Sequence, residues 1–81
     1  MRANRAYELI HTKGGPGPAL LADPARVDHL EVVEIASGEV VLFWDLAPDA
    51  ARRVARALRA DLAQMQAAEF VAAWEAAHVE G

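Results

Sequence analysis

The sequence predicts a small α+β domain: an antiparallel sheet of two or three strands, followed by two helices packed on one of its faces. Three observations carry this. Residues 27–46, "VDHLEVVEIASGEVVLFWDL", hold two runs rich in β-branched and aromatic residues separated by Ser37-Gly38, the pattern of a hairpin. Residues 48–65 repeat apolar side chains at helical spacing. Phe70 and Trp74, four residues apart, continue the helical spacing in a new phase.

A chain of 81 residues is read as a single small domain, 1–81, because a domain of this size already buries only roughly 60–65% of its unfolded surface. With 54% apolar and 25% charged residues the composition is that of a globular chain and excludes a disordered one. There is no cysteine, which excludes disulfides and thiolate chemistry. No apolar run approaches the length of a membrane span or a signal peptide, so the expectation is a cytoplasmic protein with no membrane contact. Arginine outnumbers lysine seven to one and alanine supplies 19 residues, the usage of a GC-rich bacterial genome. Arginine in place of lysine therefore carries less information about recognition than usual.

Along the chain, residues 1–4 read as a frayed start. "RAYELIHT" (5–12) alternates loosely as a strand, with Tyr7, Leu9 and His11 on one side. Residues 13–26 hold three glycines and three prolines and read as a stiff connecting loop. A phosphate-binding loop would need its lysine after the glycines and backbone N–H groups that proline lacks.

In the hairpin, a two-residue loop at Ser37-Gly38 sets Ile35 opposite Val40, Val33 opposite Leu42 and Val32 opposite Phe43. One face then carries Val33, Ile35, Val40, Leu42 and Trp44. The other carries Leu30, Val32, Val41 and Phe43 with Glu34. Both faces are apolar, which an antiparallel sheet with one wet side would not show.

Pro48 and Asp49 open the first helix, proline fitting the first turn and the carboxylate the positive end of the dipole. Ala51, Val54, Ala55, Leu58, Leu62 and Met65 form its apolar stripe, and Arg52, Arg56 and Arg59 form a second stripe with Arg53 at its margin. Asp49 is positioned to pair Arg53 at i+4. A bend near Gln66 accounts for the phase change, the alternative being one long helix with two apolar faces. A second helix over 67–78 then directs Phe70, Val71 and Trp74 to the core or a neighbour, with His78 in its last turn.

Candidate chemistry is sparse. Asp28, His29 and Glu31 form a local polar cluster, and His29 and His11 face each other if the first two strands pair. They lack the short spacings of a metal site and read as solvated residues at a strand start. Glu8, Glu31, Glu34, Glu39 and Asp45 are scattered carboxylates suited to solubility and edge protection. No catalytic residue, cofactor or metal is expected.

The segment 48–65 is basic, with four arginines against two aspartates, in a chain of net charge -4. Nucleic-acid modules are usually basic overall and place base-reading side chains among their arginines, whereas Ala57 and Ala60 occupy those places here. The arginines therefore read first as a solvated face, and otherwise as an electrostatic docking face made by Arg52, Arg56 and Arg59. The functional expectation is a non-catalytic interaction or regulatory protein: a homodimer through Leu30, Val32, Val41 and Phe43 that binds another protein. The alternatives are a nucleic-acid-binding regulator using the arginine face and an accessory subunit of an enzyme.

Overall fold

The computed structural model describes residues 1–14 and 27–80, and side chains as far as residue 76. The elements are α1 (Ala3–Ala6), β1 (Tyr7–Thr12), β2 (Asp28–Glu34), β3 (Val40–Leu46), α2 (Pro48–Gln64) and α3 (Ala67–Glu80). The strands form one antiparallel sheet in the order β1-β2-β3, and the helices pack on one face of it, which is the predicted α+β class. The glycine- and proline-rich stretch lies outside the described residues, apart from Lys13 and Gly14.

The hairpin forms, but its register differs from the predicted one in two steps. The loop has four residues, Ile35 to Gly38, closed by hydrogen bonds from the Glu34 N–H to the Glu39 carbonyl and from the Gly38 N–H to the Glu34 carbonyl, both 2.8 Å. Gly38 closes it with φ 76°. The glycine supplies its positive φ at the last loop position instead of inside a two-residue turn. A two-residue change in loop length preserves which side chains share a face. The second step does not. Val33 pairs with Val40 and Val32 with Leu42, so Val41 is an extra residue on β3, a β-bulge. Beyond it Leu42 and Trp44 lie on the face of Leu30 and Val32, where the unbulged register would have put Val41 and Phe43.

This bulge overturns the predicted interface. Leu30 and Val32 are fully buried in the chain's own core, and Val41 is half-buried and packed against that core. Phe43 alone of the four is exposed. A methyl group added at Gly38 would meet open space, whereas the backbone there is left-handed, so Gly38→Ala isolates the backbone strain. It should cost about 1–2 kcal/mol, a fall in melting temperature of at least about 4 °C by circular dichroism.

The core joins Leu30, Val32 and Leu42 of the sheet to Ala51, Ala55, Leu58 and Leu62 of α2 and Phe70 of α3. The α2 stripe is the one its sequence spacing marks. Rings close the α3 side: Tyr7 stacks on Phe70 with centroids 6.0 Å apart, Phe70 lies 6.3 Å from Trp74, and Trp74 meets Trp44 edge-on at 5.7 Å. The Trp74 indole N–H donates to Asp61 Oδ2 at 3.0 Å, so this polar atom is satisfied where it is half-buried.

The predicted frayed start is instead structured. Ala3 is fully buried, and its N–H donates to the Met65 carbonyl at 2.9 Å while the Ala67 N–H donates to the Met1 carbonyl at 2.9 Å. The Arg2 guanidinium reaches the carbonyls of Ala63 and Gln64 at the end of α2. Helix ends leave carbonyls without intrahelical partners and a negative dipole end; Arg2 answers both. The break expected near Gln66 is thus held open by the first residues of the chain, with Met65 extended at φ -91° and ψ 158°. No described helix is long and apolar enough to cross a membrane.

Candidate functional site

The arginines at positions 52, 56 and 59 of α2 each follow a core residue, Ala51, Ala55 and Leu58 respectively. They therefore lie about 100° around the helix from the buried stripe. This offset turns them toward β1, one of the two edge strands of the sheet. A pocket of about 240 Å³ forms there, lined by His11, Arg52, Ala55, Arg56 and Arg59. Arg59 also lines an open groove of about 510 Å³, which continues past Leu62 and Ala63 of α2 and Tyr7, Glu8 and Leu9 of β1 to Asn4 and Ile35. Arg59 borders both, so pocket and groove lie one after the other along the channel between β1 and α2. The channel is cationic at the His11 end and apolar, with Glu8, at the Tyr7 end.

His11 is held at the mouth of this pocket by a buried carboxylate. Its Nε2 lies 3.1 Å from Asp28 Oδ2, and the Gly14 N–H donates to Asp28 Oδ1 at 3.1 Å. The Asp28 side chain is only 2% exposed and that of His11 16%. An ionised carboxylate can only accept hydrogen bonds, so Nε2 carries the hydrogen and the ring orientation is fixed. Burying a carboxylate is costly unless its oxygens are bonded, and both are. Gly14 is required at this crossing, since a Cβ there would collide with the Val27 carbonyl.

Several sequence expectations change here. His11 and His29 do not face each other: His11 pairs with Leu30 and Thr12 with His29, which puts the two rings on opposite faces of the sheet. His29 instead hydrogen-bonds Asp45 across the strand pair on the helix-free face. Asp28 is buried, not solvated, because the chain brings it two donors. Asp49 pairs with Arg52 at i+3 in place of Arg53. Arg53 is exposed. Among the described residues, Arg56 and Arg59 have no acidic partner.

Of the predicted docking residues, Arg52, Arg56 and Arg59 are brought together at one pocket, while the four proposed interface residues are divided between core and surface. The His11–Asp28 pair is absent from the sequence expectations. It joins residues 17 apart, and its only advance sign is that His11 shares a strand face with Tyr7 and Leu9.

Chemically, the pocket offers guanidinium forks and an oriented imidazole. None of its five lining residues carries a nucleophilic hydroxyl, and Thr12 lies on the opposite face of the sheet. Among the described residues no three histidine, aspartate or glutamate side chains converge as a metal site. No protein-family model, curated protein or solved structure matches this chain.

Proposed function

We propose that this chain is a small non-catalytic interaction protein that binds an acidic, extended segment of another protein in the channel between β1 and α2. One observation carries the reading: an edge strand and a row of three arginines flank the same open channel. Among the described residues no strand pairs with the outer edge of β1, so a segment can add to the sheet there through main-chain hydrogen bonds. Alternate side chains then supply specificity. The apolar wall of Tyr7, Leu9 and Leu62 takes aliphatic side chains. Arg56 and Arg59 take carboxylates, which set orientation and association rate more than affinity. Glu8 repels acids at the apolar end and so fixes which end of the segment is acidic.

The test is fluorescence anisotropy with a labelled extended peptide, apolar in one half and rich in glutamate in the other. Arg56→Glu with Arg59→Glu should weaken binding at least ~10-fold, an energy of about 1.4 kcal/mol or more. Arg53→Glu, at the margin of the arginine row and outside the pocket lining, should weaken it several-fold less than the double substitution. If the peptide does not bind while a DNA duplex does, with an affinity falling steeply with salt, the nucleic-acid reading replaces this one.

Self-association is a second reading. It is favoured by the apolar side chains of Ile10, Val33 and Val40 on the face of the sheet that carries no helix. Sedimentation equilibrium tests it. A dimer that persists at high salt supports it, and a monomer at both low and high salt ends it.

A further inference from the structure

We infer that the His11 pocket receives the phosphate monoester group of a phosphorylated side chain, carried on the segment that lies in the channel. The source of the group rests on the function proposed above, and its chemistry rests on the pocket itself.

Charge is the first argument. Arg52 already has a carboxylate partner in Asp49, but Arg56 and Arg59 have none among the described residues. Two uncompensated guanidiniums facing one cavity in a chain of net charge -4 are a local exception to an acidic surface. A single carboxylate would neutralise one of them. A phosphate monoester, carrying close to two negative charges at neutral pH, matches both.

Geometry is the second argument. Guanidinium forks bind phosphate oxygens bidentately and keep their charge at every working pH. The Asp28 oxygens face His11 Nε2 and the Gly14 N–H, and the aspartate is buried behind the imidazole and outside the pocket lining, so it orients the ring without touching a bound anion. At about 240 Å³ the cavity is below the roughly 300–1,000 Å³ of pockets that enclose a whole drug-sized molecule. It suits the end of a side chain. Its place beside the groove, with Arg59 bordering both, lets that side chain belong to a longer segment on β1.

The test is a set of titrations into the ¹⁵N-labelled full chain at constant ionic strength, reading the arginine Nε–H signals and the amides of Tyr7 to Thr12. The probes are inorganic phosphate, acetate, a phosphoserine peptide of the apolar-acidic type, and its unphosphorylated form. Inorganic phosphate should shift the Arg56 and Arg59 signals saturably while acetate gives only a linear drift. The phosphopeptide should bind at least ~10-fold more tightly than the unphosphorylated peptide, as expected when a dianion meets two guanidinium forks. It should also bind more tightly than free phosphate. Arg56→Gln with Arg59→Gln should abolish phosphate saturation and leave the circular dichroism spectrum unchanged.

A linear response to phosphate, equal to that of acetate, overturns the inference. If the unphosphorylated peptide still moves the β1 amides in that case, the channel reading survives alone. A phosphopeptide no tighter than inorganic phosphate overturns the assignment to a protein segment. Peptides that leave the β1 amides unmoved overturn that assignment and the channel reading together.

Discussion

Replacing Phe70 with alanine is expected to cost about 3–5 kcal/mol, the usual range for removing a fully buried aromatic ring. Phe70 is fully buried, stacks on Tyr7 of β1 and touches Trp74 of its own helix. Its loss therefore opens a cavity where β1, α2 and α3 meet. The neighbouring side chains cannot close in, because Tyr7 is fixed by the strand and Trp74 by its bond to Asp61. In a domain of 81 residues each kcal/mol is about 4–8 °C of melting temperature, so the fall should be at least about 12 °C. Thermal unfolding followed by circular dichroism and tryptophan fluorescence checks it. Trp74→Phe keeps an aromatic ring at a half-buried position and loses the smaller ring of the indole with its N–H bond, so it should cost less than Phe70→Ala. If Phe70→Ala falls no further than Trp74→Phe, the ring cluster is not the joint between sheet and C-terminal helix.

Much of this joint is visible in the sequence, and the reasons differ by element. The α2 stripe repeats every three or four residues without interruption, so its buried face follows from helix geometry alone. The phase change between Met65 and Phe70 points to a break, although one long helix with two apolar faces has the same pattern, and the structure has the break. The cause of that break is not legible. Ala3 has no hydrophobic signature, and its place between the helices is set by backbone hydrogen bonds across more than sixty residues.

The hairpin shows the opposite balance. Its strands follow from their β-branched runs, but consecutive valines at 40 and 41 leave nothing to mark which residue is the bulge. A single extra residue reverses every face assignment beyond it. The predicted interface fails at that point. The arginine row survives because helical spacing is local. The His11–Asp28 pair depends on the β1 register and is not legible.

The buried carboxylate at that pair gives the second large effect. Asp28→Ala should destabilise the fold by about 2–4 kcal/mol, because it strips acceptors from two donors at once and a buried donor left unbonded costs about 1–3 kcal/mol. The Gly14 N–H bears more of this loss than His11, whose ring borders the open pocket and can rehydrate. At about 4–8 °C per kcal/mol the melting temperature should fall by at least about 8 °C. Asp28→Asn separates the fold from the site. Its amide oxygen still accepts the Gly14 N–H and its NH₂ can donate to His11 Nε2, so it should recover about half of the lost stability. The same exchange forces the ring hydrogen from Nε2 to Nδ1, which ¹⁵N shifts of the imidazole report directly. A stable Asp28→Asn protein with the hydrogen on Nδ1 shows that the aspartate sets the tautomer presented to the arginine pocket. An Asp28→Ala protein that melts with the parent chain would show instead that the carboxylate is dispensable to the fold, and that His11 is held by the packing of β1 against α2.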